Sequence, residues 1–156
     1  MKTIKVKKGH ILQRKGEISD KAFLVKSGLL KSYTIDDKGK EHIFMFGSEN
    51  WIVSDSIPFN EPSDLFIEAI EDSELEVIVK DFGREIDQQA LFKRISVLQK
   101  RVIMFMTSSA LERYEHFEET YPDIIQRVPQ RMIASYLGIT PEALSKVKSE
   151  KARNKS

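Results

Sequence analysis

The chain has 156 residues with 40% hydrophobic and 31% charged residues, enough apolar material for a packed core and too much for a disordered chain. It contains no cysteine, which excludes disulfides, iron–sulfur clusters and thiol sensing. No apolar run approaches 18 residues and the basic start Met1–Lys8 lacks a signal-peptide core, so the sequence predicts a cytoplasmic protein without a membrane partner.

Net charge is only +1, but it is unevenly spread. From Arg127 onward seven Lys and Arg face only Glu142 and Glu150, a balance of +5; the preceding 18 basic and 22 acidic residues give −4. A basic tail on a mildly acidic body suits a polyanionic partner at that end, or is simply a solvated tail.

Residues 1–80 read as short strands. Ile4 and Val6 alternate with lysines. Phe23-Leu24-Val25 runs into a Ser27-Gly28 turn. Leu30, Ser32 and Thr34 fall on one face of the next strand, with Lys31, Tyr33 and Ile35 on the other. Asp36-Asp37-Lys38-Gly39 suits a hairpin, because Asp and Gly tolerate turn dihedrals. His42–Phe46 returns, and 64–70 with 74–79 forms a second hairpin around Glu71-Asp72-Ser73. Short strands with regular turns predict a barrel, roll or sandwich.

The period then changes. Leu91, Ile95, Leu98, Val102, Phe105 and Ser109 recur with steps of four and three, a heptad seam. No Pro or Gly occurs between Arg84 and Tyr121, which predicts a helix over most of 84–121, about 45 Å long at ~1.5 Å per residue. Ile103, Met106, Ala110, Tyr114 and Phe117 face another neighbour. Such a helix either packs on its own domain or pairs with a second copy. The small roll offers little surface to cover it, which favours a homodimer seam. Tyr121-Pro122-Asp123 breaks it.

In the last segment, Gln130–Leu137 reads as a short helix behind Pro129. Gly138 supplies a left-handed turn position, Thr140 an N-cap, Pro141 the first helical position and Glu142 first-turn charge. Ile133, Ala134, Leu137, Ile139, Leu144 and Val147 make a small apolar core. This is a helix-turn-helix pattern, and the partner it implies is double-stranded DNA.

The segment Ile133-Ala134-Ser135-Tyr136-Leu137-Gly138-Ile139-Thr140-Pro141-Glu142-Ala143-Leu144-Ser145 resembles the recognition module of Crp/Fnr-type regulators, in the short form of Bacteroidetes-type bacteria. Phe23–Gly28, the Asp-Asp-Lys-Gly hairpin and Glu68–Leu75 resemble the cyclic-nucleotide-binding β-roll, with Gly16, Gly28 and Gly39 at turn positions. The resemblance implies an α+β fold: an antiparallel β-roll of the jelly-roll kind over 1–83, a dimerisation helix over 84–121, and a helix-turn-helix without a full wing over 122–156. It implies that Thr140, Pro141, Glu142, Ser145, Lys146 and Ser149 face the groove, with Gln130, Arg131 and Lys148 beside them. It names RNA polymerase as a further partner. Family members usually begin with helical residues, so the chain reads as a truncated or naturally short form.

One departure is chemical. Members that bind a cyclic nucleotide carry a cassette with Gly-Glu for the ribose and Arg for the cyclic phosphate. Here Ser54 falls near the Glu place and Asp64 near the Arg place, and no Lys or Arg occurs from 41 to 79. A buried phosphate needs a cation or an array of N–H donors. Cyclic nucleotide binding is therefore not expected and no cofactor is implied. Trp51, Ser54 and Asp64 remain candidates for an effector pocket of unknown ligand, with Trp51 read first as a core residue. His10, His42 and His116 lack metal spacing, and no nucleophile–base constellation points to an enzyme. The rival readings are a signalling module that has lost DNA binding and a regulatory subunit of an enzyme.

Overall fold

The computed structural model describes residues 1–58, 60–81 and 87–155. These belong to two compact units, Met1–Asp81 and Phe82–Ser156. The first holds eight strands: β1 (Lys2–Val6), β2 (Ile11–Gln13), β3 (Lys21–Ser27), β4 (Leu30–Ile35), β5 (Glu41–Gly47), β6 (Ile52–Val53), β7 (Phe66–Ala69) and β8 (Ser73–Val79). The second holds α1 (Gln88–Thr107), α2 (Ala110–Thr120), α3 (Gln130–Leu137) and α4 (Pro141–Asn154).

The strands form two antiparallel sheets, ordered β1-β8-β3-β6 and β2-β7-β4-β5. Phe23, Val25, Val53 and Leu75 from the first sheet meet Leu30, Ile67 and Ala69 from the second, and all seven are buried. Ile4, Val6, Leu12 and Val77 close the edges of this core. The alternation that the sequence shows in β1, β3 and β8 thus becomes inward-facing side chains of a roll.

The turn at Gly28 admits no other residue easily. Its φ is +96°, and a Cβ there would lie 2.2 Å from Ser73 Oγ and 2.6 Å from the Asp72 carbonyl oxygen. Ser73 Oγ also accepts from Leu29 N at 3.2 Å, tying the β3–β4 turn to the β7–β8 turn.

Strand β4 departs from simple alternation, since Leu30, Lys31, Ser32 and Tyr33 are all buried. Leu30 joins the inner core, and Lys31 lies on the other face. Lys31 Nζ lies 2.8 Å from Glu41, 3.5 Å from Glu68 and 4.4 Å from the Tyr33 ring centroid. Two carboxylates and a ring face offset the cost of burying this side chain at 3% exposure. Burial, then the hydrogen bond with Glu68, pushes the Tyr33 hydroxyl up from its ordinary range.

The uninterrupted helix expected over 84–121 is instead two helices. Residues 84–86 of that expectation lie outside the described residues. Helix α1 runs 20 residues, about 30 Å at ~1.5 Å per residue. Ser108 and Ser109 are extended, with ψ of 143° and 166°. Ser109, counted in the seam, is the N-cap of α2. Its hydroxyl accepts from Glu112 N at 3.3 Å, and the Glu112 carboxylate accepts from Ser109 N at 2.6 Å. This reciprocal capping box satisfies two N–H groups at the start of α2 and marks a new helix there.

Candidate nucleic-acid interface

Helices α2, α3 and α4 share one small core. Ile133, Ala134, Tyr136 and Leu137 of α3 are buried with Leu144 and Val147 of α4 and Tyr114 and Phe117 of α2. Three aromatic rings anchor it: Phe117, Tyr121 and Tyr136 lie 5.3–5.4 Å apart between centroids, two of the three pairs edge-to-face. Lys151, counted in the basic tail, is spent inside the unit: its ammonium group bonds Glu118 and lies 5.7 Å from the Tyr114 ring.

The joint between α3 and α4 follows the sequence closely. Gly138 takes φ 66°, ψ 32°, and its N–H serves the last carbonyls of α3. The Thr140 hydroxyl accepts from Ala143 N at 3.1 Å, Pro141 occupies the first turn, and Glu142 adds negative charge at the positive end of α4.

Gln130, Arg131, Thr140, Pro141, Glu142, Ser145, Lys146, Lys148 and Ser149 are all exposed. At 100° per residue, Glu142, Ser145, Lys146 and Ser149 fall on one face of α4, opposite Leu144 and Val147. Lys148 sits on the flank, where its Nζ donates to Gln130 Oε1 at 3.1 Å and ties the middle of α4 to the start of α3. Thr140 is engaged as a cap, so its first duty is to the helix.

Helix α1 is mostly uncovered: Met104 is its single buried residue. Leu91, Ile95, Val102 and Phe105 are 44%, 47%, 57% and 37% exposed, and Leu98 between them is half-buried. Phe92, Ile103 and Met106 widen the apolar surface.

In the roll, Trp51 is 38% exposed, so it is not a core residue. Asp64 is exposed and Ser54 half-buried. A shallow hollow at the β1–β8 edge is lined by Lys5, Lys7, Ser27, Asp72 and their neighbours, and by none of these three. Sequence reading missed Asp55, which organises the loop. It is 5% exposed, and its carboxylate accepts from Ile57 N at 3.1 Å, Asp64 N at 2.8 Å and Leu65 N at 3.0 Å. The Lys80 ammonium group holds the Asp55 carbonyl at 2.7 Å. Two further polar groups sit in the roll interior. Gln13 Oε1 and Ser32 Oγ are buried without a hydrogen-bond partner, and both flank Ile67 in the β2-β7-β4 register. Among the described residues no cluster of His, Asp and Glu is spaced to hold a metal ion, and no helix is long and apolar enough to cross a membrane.

The fold is shared with solved transcription regulators. A CRP/FNR-family regulator from Thermus thermophilus superposes with a TM-score of 0.80 at 18% identity, covering 98% of this chain and 87% of that one. FixK2 from Bradyrhizobium japonicum gives 0.72 at 20% identity, with 98% and 85% covered. A regulator described as a putative crp/fnr-family member, from Eubacterium rectale, gives 0.69 at 22% identity, with 97% and 78% covered. No curated protein matches the chain by sequence. The family model described as "Cyclic nucleotide-binding domain" matches residues 3–90, more than half of the sequence, and the chain belongs to that family.

Proposed function

We propose that the protein is a homodimeric transcription regulator of the Crp/Fnr type that reads a near-palindromic DNA site. The observation that carries this reading is the exposed face Glu142-Ser145-Lys146-Ser149 on a capped helix, held by a core of α2 and α3. Paired α1 helices would place two copies of α4 about one helical turn of DNA apart, ~34 Å, each over a half-site. The structural likeness to regulators supports the same reading.

The exposed residues divide by chemistry. Glu142 and Ser145 sit one turn apart near the N-terminus of α4, where base edges are reachable. A carboxylate accepts from a cytosine amino group, and a hydroxyl pairs with several bases. Lys146, Lys148 and Arg131 meet phosphates, which adds affinity without sequence information. Glu142→Ala is expected to relax preference at one position of each half-site by about 1–3 kcal/mol per contacted base pair. Lys146→Ala is expected to weaken all sequences alike and to flatten the salt slope by about one unit. Binding curves on a selected site and a mutated site across a salt series test both. Uniform weakening by Glu142→Ala would overturn its base-reading role. No binding to any sequence of a randomised pool at low salt would overturn the function.

The roll is not a receptor for cyclic AMP or cyclic GMP in this reading. The N–H groups of Asp64 and Leu65, which a phosphate would need, already serve the Asp55 carboxylate. An entering phosphate meets that anion and the Asp64 carboxylate without a compensating Lys or Arg from the loop. Calorimetry with either nucleotide is expected to show no binding tighter than about 10 μM. A dissociation constant at or below that value would refute the exclusion.

A further inference from the structure

Two arginines bridge the break between α1 and the helix-turn-helix. The Arg113 guanidinium, on α2, spans two helix ends: Nη2 donates to Phe105 O at 2.9 Å in the last turn of α1, and Nη1 donates to Leu137 O at 3.2 Å at the end of α3. Arg101, on α1, donates from Nη2 to Tyr136 O at 3.3 Å. Its guanidinium carbon lies 4.1 Å from the Tyr136 ring centroid. All three carbonyls lie in final helical turns, where intrahelical donors run out and cations are favoured. The Phe105 ring sits between the guanidinium groups, at 5.4 Å from Arg101 and 5.1 Å from Arg113. It also packs against the turn, since a Cβ on Gly138 would lie 3.2 Å from Phe105 Cε1. Phe105 belongs to the apolar stripe of α1 as well. The stripe and the helix-turn-helix corner are therefore linked through one ring and two guanidinium forks.

We infer that Arg113 and Arg101 are positioning residues that fix the angle between α1 and α4, and so set the half-site spacing the dimer accepts. This rests on the dimeric DNA-binding reading above. The helical ladder is interrupted at the joint: Ser108 and Ser109 are extended, and α1 ends on the bond from Ser108 N to Met104 O while α2 starts afresh at the Ser109 cap. Without the forks, rotation at this joint would swing α4 relative to the stripe while leaving the α2–α3–α4 core intact. One base pair of added spacer moves a half-site by ~3.4 Å and turns it by about a tenth of a helical turn, so a rigid joint tolerates few spacers. A lysine at 113 keeps the charge but reaches one carbonyl, so the fork is separable from the charge.

The test has two arms. The chain has no cysteine, so Lys100→Cys and Lys146→Cys, both at exposed positions, take spin labels selectively. With labelled protein diluted into unlabelled protein, the distance between the labels within one chain is expected to be narrow in the parent and broad in both Arg113→Ala and Arg113→Lys. In the second arm, paired half-sites with varied spacers are bound by the unlabelled proteins. The parent is expected to prefer one spacing by about tenfold over a neighbour that is out of phase. Both variants are expected to flatten that preference to within about threefold while binding an isolated half-site as the parent does. An unchanged narrow distance in Arg113→Ala, or retained spacing preference, would overturn the inference. So would spacing preference kept by Arg113→Lys alone, since charge would then be the agent, and so would equal weakening on every spacer and on the half-site. If the parent binds no DNA while the label distances broaden as expected, the forks are real and the DNA-binding reading is what fails, with the spacing role falling alongside it.

Discussion

Replacing Leu98 and Val102 together with glutamate is expected to turn the protein into a monomer. In α1 the stripe Leu91-Ile95-Leu98-Val102-Phe105 follows steps of four and three, yet Met104 is the helix's only buried residue. An exposed apolar stripe with this spacing is a candidate surface for pairing with a second copy of the helix. In a two-fold dimer each substitution counts twice, so the variant withdraws four apolar side chains. At about 1.5–3 kcal/mol for each one buried, that is roughly 6–12 kcal/mol, before the cost of placing four carboxylates face to face. A dimer of micromolar affinity has only about 8 kcal/mol to lose. Phe105 packs at Gly138 and is unsuitable, so Leu98 and Val102 are the pair to change. Light scattering should give the mass of one chain, with helical circular dichroism retained. A variant that stays fully dimeric at micromolar concentration would remove the interface from this stripe.

The ends of the chain were unequally legible. The α3–α4 corner could be read residue by residue, because each signal acts locally: Gly138 needs only its own positive φ, and the Thr140 cap reaches only three residues ahead to Ala143. The roll core was legible wherever one strand face is buried, as at Phe23 and Val25. It was not legible at Lys31, whose burial depends on Glu41 and Glu68 arriving from two other strands. The break at Ser108-Ser109 has a sequence signal, the capping-box pattern Ser109-Ala110-Leu111-Glu112, which the reading from heptad spacing and the lack of Pro and Gly missed. Ser109 fits both patterns, and a polar residue in a seam should have decided for the cap. Arg101 and Arg113 carry no local signal: the Arg101 acceptor lies 35 residues away and the two Arg113 acceptors 24 and 8 residues away across the helix break, all on carbonyls that any residue type would present.

A single change at Asp55 is also expected to have a large effect, at a position whose role the sequence does not reveal. In the sequence it is one carboxylate between Ser54 and Ser56. In the fold it is 5% exposed and collects three backbone N–H groups, two of them from across the loop at Asp64 and Leu65. Asp55→Ala leaves those donors with no acceptor from the chain. Each unsatisfied group costs about 1–3 kcal/mol, and these are only partly buried, so the low end applies and the total is roughly 3 kcal/mol. Against the 5–15 kcal/mol that holds a domain together, this is a large share. For a unit the size of Met1–Asp81, where 1 kcal/mol shifts the midpoint by about 4–8 °C, the roll is expected to melt roughly 12–24 °C lower. Asp55→Asn keeps one carbonyl oxygen as acceptor but turns an amide toward the remaining donors, so it should fall between the parent and the alanine variant. Hydrogen exchange gives the finer readout: protection at Ile57, Asp64 and Leu65 should drop first, ahead of Val25 and Leu75 in the core. A melting temperature within about 2 °C of the parent, under half the shift of 1 kcal/mol, would show that water replaces the carboxylate without loss. The Asp55 carboxylate would then not be what holds the loop closed to phosphate.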